Sequence, residues 1–178
     1  MKKSNAFQDF IKPILVLFII CLVVAALLGV VNNVTAPIIE ENALIKAEQT
    51  RAAVLEGATS FTEIECDTDA LGIDSAYKED SGLGYVFTAS RKGYGGLVTV
   101  TVGLDNDGQI VGLSADVSTE TSGVGSKAGQ SSYTDKYLGA KGNVDDVDTI
   151  TSATYSSTAV KTGVNAVLSA FAVIGGEE

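Results

Sequence analysis

The chain of 178 residues contains no histidine and no tryptophan. Without histidine there is no Ser-His-Asp or Cys-His nucleophile, no imidazole base and no histidine metal ligand. Its two cysteines, Cys21 and Cys66, are too few for a four-cysteine zinc site or a cysteine-ligated iron–sulfur cluster. No metal site is therefore expected, and redox chemistry would require an organic cofactor. Basic residues are also scarce: 12 against 22 acidic, for a net charge of −10. That balance excludes the basic surface on which non-specific nucleic-acid binding depends.

The charges are unevenly distributed. Residues 1–12 hold Lys2, Lys3 and Lys12 against Asp9, leaving 9 basic and 21 acidic residues for the rest. From Pro13 to Ile39 there is no charge at all, and Ile14 to Val31 is apolar apart from one glycine. A bilayer core takes roughly 17–25 such residues as a helix. Basic residues in front of the span keep the N-terminus cytoplasmic and send the C-terminus across. The run is longer than the ~7–15-residue core of a cleaved signal peptide. The best cleavage site, Val34-Thr35-Ala36, is followed by Pro37, a poor first mature residue. Bulky Ile19 and Ile20 argue against Cys21 as a lipoprotein cysteine. The segment reads as an uncleaved membrane anchor, with lipid as a partner. Cys66 has no partner outside the membrane, so no disulfide is expected there.

Beyond the span, Pro37 opens a helical pattern in Ile38, Ile39, Leu44, Ile45, Ala52, Val54 and Leu55, ending near Gly57. Residues 58–82 give weak signals. From Gly84 the period changes to two. Tyr85 to Ser90 reads as a strand, Val98 to Val102 alternates, and Gln109 to Val117 returns after the turn Asp105-Asn106-Asp107-Gly108. The turn resembles a calcium loop but lacks the further oxygen ligands and terminal Glu of an EF-hand. Residues 118–147 read as loop with an aromatic patch at Tyr133 and Tyr137. The last segment carries Val160, Val164, Val167, Leu168 and Phe171 on one stripe, with Ser156 or Ser157 as N-cap. The organisation predicted is a cytoplasmic end 1–12, a transmembrane helix 13–36, a helical stalk 37–57 and an α+β domain 58–178 with an antiparallel sheet and flanking helices.

Three segments could carry chemistry. Gly93-Tyr94-Gly95-Gly96 allows close approach to a flat ligand, or is an ordinary inter-strand loop. Glu120-Thr121-Ser122-Gly123-Val124-Gly125 exposes backbone N–H groups without the Walker A pattern, so an ATP site is not expected. Asp148-Thr149-Ile150-Thr151-Ser152-Ala153-Thr154 runs into a helix start, which suits either an anion or simple capping.

Together, after a single membrane helix, the three resemble the G subunit of the Rnf electron-transport complex and its homologue, the C subunit of the sodium-pumping NADH:quinone reductase. Val31-Asn32-Asn33-Val34-Thr35-Ala36-Pro37 fits the same pattern. The resemblance implies an extracytoplasmic FMN-binding domain whose Thr154 carries FMN through a phosphoester installed by a separate flavin transferase. It implies flavin contacts from Glu120 and Thr121, and close approach at Gly123 and Gly125. It assigns Asp148, Thr151 and Ala153 to the flavinylation signature, and Ser152, Tyr94 and Gly95 to the cofactor site. The implied role is an electron-carrying subunit beside membrane, iron–sulfur and flavin subunits, coupling ferredoxin:NAD+ electron transfer to Na+ or H+ translocation. Ser122 stands where the family has Pro, and Ser152 where it has Gly. If that position takes a positive φ, Ser152 is strained. The residues also admit a stand-alone flavinylated carrier in extracellular electron transfer, or a non-redox surface module; a pilin-like anchor would need a Glu that positions 13–39 lack.

Overall fold

The computed structural model describes residues 11–175. The chain divides into two compact units, the first ending at Lys46 and the second beginning at Ala47.

In the first unit the observed element is helix α1, Lys12–Val54, which continues into the second. Pro37 lies inside it rather than at the start of a separate helix. Inside a helix, proline removes the bond to the carbonyl four residues back, here that of Asn33, and crowds that carbonyl, at a cost of about 3 kcal/mol. Thr35 Oγ1 also donates to the Val31 carbonyl one turn before the proline, at 2.8 Å. Ile14, Phe18, Leu22, Leu27 and Val31 are all exposed, so the helix is apolar on every side over residues 14–31. At 43 residues it measures roughly 65 Å, about twice the ~30 Å hydrocarbon core.

The second unit starts earlier than residue 58 because the last turns of α1 pack within it. Val54 and Leu55 form a buried cluster with Val86, and Arg51 lies over the Tyr77 ring at 4.2 Å. The cross-strand pair Gly103 and Gly112 makes this possible: a Cβ on either would run into the Val54 backbone.

Five strands follow: β1 Phe61–Glu63, β2 Ser75–Glu79, β3 Tyr85–Lys92, β4 Leu97–Leu104 and β5 Ile110–Asp116. They form one antiparallel meander in sequence order. The β4–β5 hairpin expected from the alternation is present, with an irregularity at Gly103/Leu104. The weakly patterned residues 58–82 supply β1, β2 and a one-turn helix α2, Thr68–Leu71, capped by the Asp67 carboxylate.

One sheet face presents Phe87, Ala89, Val98, Val100 and Val102 to the long C-terminal helix, Thr154–Ile174, whose Val160, Val164, Val167 and Leu168 complete the core. Phe171, on the expected stripe, meets the Tyr85 ring edge-on at 5.5 Å. Residues 118–147 are more ordered than a loop: 3-10 turns at Gly125–Gly129 and Asp135–Tyr137 flank a one-turn helix α3, Ser131–Thr134. The C-terminal helix is therefore α4. The expected aromatic patch is interior. Tyr133 and Tyr137 are buried, and the Tyr137 hydroxyl donates to that of Tyr133 at 2.7 Å. Burial pushes both phenols above the ordinary tyrosine range.

Candidate functional site

Gly93–Gly96 is the tight connection between β3 and β4, closed by the Gly93 N–H donating to the Gly96 carbonyl at 2.8 Å. Its glycines approach protein rather than open space. A Cβ on Gly95 or Gly96 would strike Thr119, and one on Gly93 would strike the Glu120 carboxylate. Glu120 Oε1 accepts from the Gly95 N–H at 2.9 Å and the Gly96 N–H at 3.4 Å. Its Oε2 accepts from the Ser156 hydroxyl on α4. Burial alone would push the Glu120 carboxyl up. The hydrogen bonds from Ser156 and from the backbone of Gly95, Gly96 and Tyr94 outweigh it and hold the group below the usual carboxylate range.

Helix α4 begins at Thr154, with Ala153 in the capping position and no side chain capping the helix. The expected N-caps Ser156 and Ser157 instead lie inside its first turn, both buried. Ser157 Oγ accepts from the Ile150 N–H at 3.0 Å and donates to the Ala153 carbonyl at 2.9 Å. Position in the turn decides this: a hydroxyl three or four residues past the cap faces the interior and the preceding loop. The helix therefore starts with no side chain accepting from its first N–H groups and a methyl where a cap would sit. Ser152, just before it, has φ 74°, the only positive φ among the described non-glycine residues. The strain expected for serine in place of glycine is thus built into the turn.

These pieces enclose an open cavity of about 220 Å³. Its lining includes Tyr94, Glu120, Thr121, Gly125, Ser152, Ala153 and Thr154. Thr154 is exposed, as are Tyr94 and Tyr155, whose rings lie 6.3 Å apart at the cavity edge.

Residues 93–169, which contain the entire cavity, match the FMN-binding domain family. Two relatives extend the similarity along the chain. The G subunit of the proton-translocating ferredoxin:NAD(+) oxidoreductase complex of Clostridium ljungdahlii is 27% identical over 83% of this chain and 84% of its own length. The G subunit of the Na(+)-translocating ferredoxin:NAD(+) oxidoreductase complex of Acetobacterium woodii is 30% identical over 85% of this chain and 86% of its own. The chain belongs to the family of Rnf G subunits.

In this member of the Rnf G-subunit family, most of the residues singled out in the sequence meet at the cavity, and Gly95 joins through its hydrogen bond to Glu120. Three do not line it. Gly123 has φ 77° and spends its N–H on Ser126 Oγ at 2.8 Å. Asp148 and Thr151 are exposed outside the lining. Val124, Tyr155 and Ser156 line it without having been singled out as site residues. An apolar residue between two glycines and an aromatic directly after Thr154 are signals in the sequence. Nothing local marks Ser156, because its partner is 36 residues away.

The donor set suits FMN. Exposed Thr154 stands at the first position of a helix without a side-chain cap, where the N–H groups and the macrodipole favour phosphate. Two exposed tyrosine rings at the edge offer apolar surface to a flat ring system.

Proposed function

We propose that this chain is a membrane-anchored flavoprotein subunit that relays electrons through FMN covalently bound to Thr154 in an Rnf-type complex. The observation that carries the reading is Thr154, exposed and lining the cavity at the start of a helix without a side-chain cap. When bound, FMN supplies the electron-accepting and electron-donating chemistry. The chain's own residues position it: the first turn of α4 holds the phosphate, Thr121 and Gly125 bound the cavity, and Tyr94 and Tyr155 flank its mouth. A phosphoester also keeps the cofactor from diffusing away on the outer membrane face.

The topology rests on charge. The basic residues 1–12 stay inside, the uncharged span from residue 13 to about residue 36 crosses, and the acidic domain lies on the outer face. The rest of α1 serves as the stalk, its last turns packed into the domain. Partners are the other Rnf subunits, lipid, and a flavin transferase during maturation. One relative is named for protons and the other for Na+, so either ion suits a complex built around this domain. The test is co-expression with a flavin transferase followed by a denaturing gel under ultraviolet light. The wild-type band fluoresces and Thr154→Ala does not; a Thr154→Ala band of full intensity would refute the acceptor assignment.

A further inference from the structure

Glu120 lines the cavity, yet its carboxylate is already engaged by protein. One oxygen takes the Gly95 and Gly96 N–H groups, and the other takes the Ser156 hydroxyl. The space around it is closed on two sides, since a Cβ on Gly93 or Gly125 would collide with the carboxylate. At 7% exposure it has little surface left for a ligand. Its hydrogen bonds join the β3–β4 connection, the 120–125 segment and the first turn of α4. Ser156 sits two residues after Thr154 in that turn, so a bond at Ser156 fixes the rotation of the turn that carries Thr154.

We propose that Glu120 is a positioning residue for Thr154: acting through Ser156, it holds the first turn of α4 so that the Thr154 hydroxyl faces the cavity, and it is not itself a flavin contact. This rests on Thr154 being the FMN acceptor. In that modification the bond from Thr154 Oγ1 to phosphorus forms and the anhydride bond of an FMN phosphoanhydride breaks. The nucleotide leaves with the bonding pair, and the hydroxyl proton passes to a base of the transferase. The rate depends on how the hydroxyl is aimed, so a loosened turn slows transfer without weakening the encounter.

The test measures covalent flavin incorporation into the full chain in detergent, with purified transferase and FAD as the phosphoanhydride. The kcat and the KM for the acceptor chain are determined separately. Glu120→Ala and Ser156→Ala are each expected to lower kcat about tenfold or more with KM within twofold, because positioning affects alignment. The double variant should be no slower than the slower single variant, because both cut one link. Glu120→Gln, which can still accept from Gly95 and pair with Ser156, should keep at least half of kcat. Val102→Ala, a core change far from the link, should lower the thermal midpoint and leave kcat in place.

Wild-type kcat in Ser156→Ala would overturn the proposal, as would multiplying effects in the double variant or a Gln variant as slow as Ala. Equal loss in Val102→Ala would reduce the role to general stability and overturn it too. Full labelling of Thr154→Ala would overturn the acceptor reading, and this proposal with it. Loss of label there, with wild-type kcat in Ser156→Ala, would overturn only the role of Glu120.

Discussion

Helices α1 and α4 are both long and apolar enough to cross a membrane, yet they solve different problems. The richest 18-residue window of α1 has mean hydropathy 3.4 and none of it is buried; that of α4 has 1.4 and is 44% buried. The difference lies in distribution more than in amount. In α1 the apolar residues surround the axis without a charge from Pro13 to Ile39, which suits a solvent that is apolar on all sides. In α4 they form one stripe against the sheet, while Thr158 and Thr162 face out. Apolar content alone would confuse an anchor with a core helix; periodicity separates them.

The largest effect should come from charging the anchor. Leu22→Arg with Val23→Arg costs about 2.5–3.5 kcal/mol per arginine at a bilayer centre. Fractionation should move the protein out of the membrane, whereas Thr158→Arg and Thr162→Arg on the outer side of α4 should leave it there. Next is the stripe of α4. Leu168→Ala should cost about 2–5 kcal/mol of domain stability, read as a lower denaturant midpoint in detergent, and should not affect membrane retention. Leu22→Ala in α1 should leave that midpoint unchanged. A fall in the midpoint would mean that α1 is part of the folded core as far as residue 22.

Acid should act on the domain and spare the anchor. Hydrogen bonds from Ser81 and the Leu83 N–H hold the Glu79 carboxyl low, a bond from Thr62 does the same for Asp80, and Glu120 is low despite its burial. A carboxyl depressed in the folded state contributes stability that is present above its unfolded value, about 3.9 for Asp and 4.3 for Glu. That contribution is lost as pH falls through the folded value. The thermal midpoint should therefore drop as pH falls below about 4, and Glu120→Gln should flatten part of the drop. The smallest effect is at the start of α4: Ser152→Gly should raise stability by about 1 kcal/mol by relieving the positive φ, less the added entropy of the unfolded chain. An unchanged midpoint would show that the turn bears no strain.

Much of the fold is legible in the sequence because its signals are local. The alternation from Val98 to Val102 specifies β4, and the stripe through Val160, Val164 and Val167 specifies α4. What the sequence conceals depends on distant contacts. Tyr133 and Tyr137 read as a loop patch because neither their shared hydroxyl bond nor the bond to the Ser157 carbonyl, 24 residues on, leaves a periodic trace. The end of α1 reads as stalk because only Gly103 and Gly112 make room for Val54 against the sheet.

The sequence by itself determined an uncharged apolar span after a basic end, an antiparallel hairpin and a closing amphipathic helix. Each follows from spacing along the chain, which sets the local face a side chain shows to its surroundings. Only the tertiary structure decided that Glu120 binds its own protein, that Ser156 is its partner, and that the turn before Thr154 is strained. The Glu120 contacts depend on segments 24 to 36 residues apart meeting within hydrogen-bonding distance, and packing, not periodicity, brings them together.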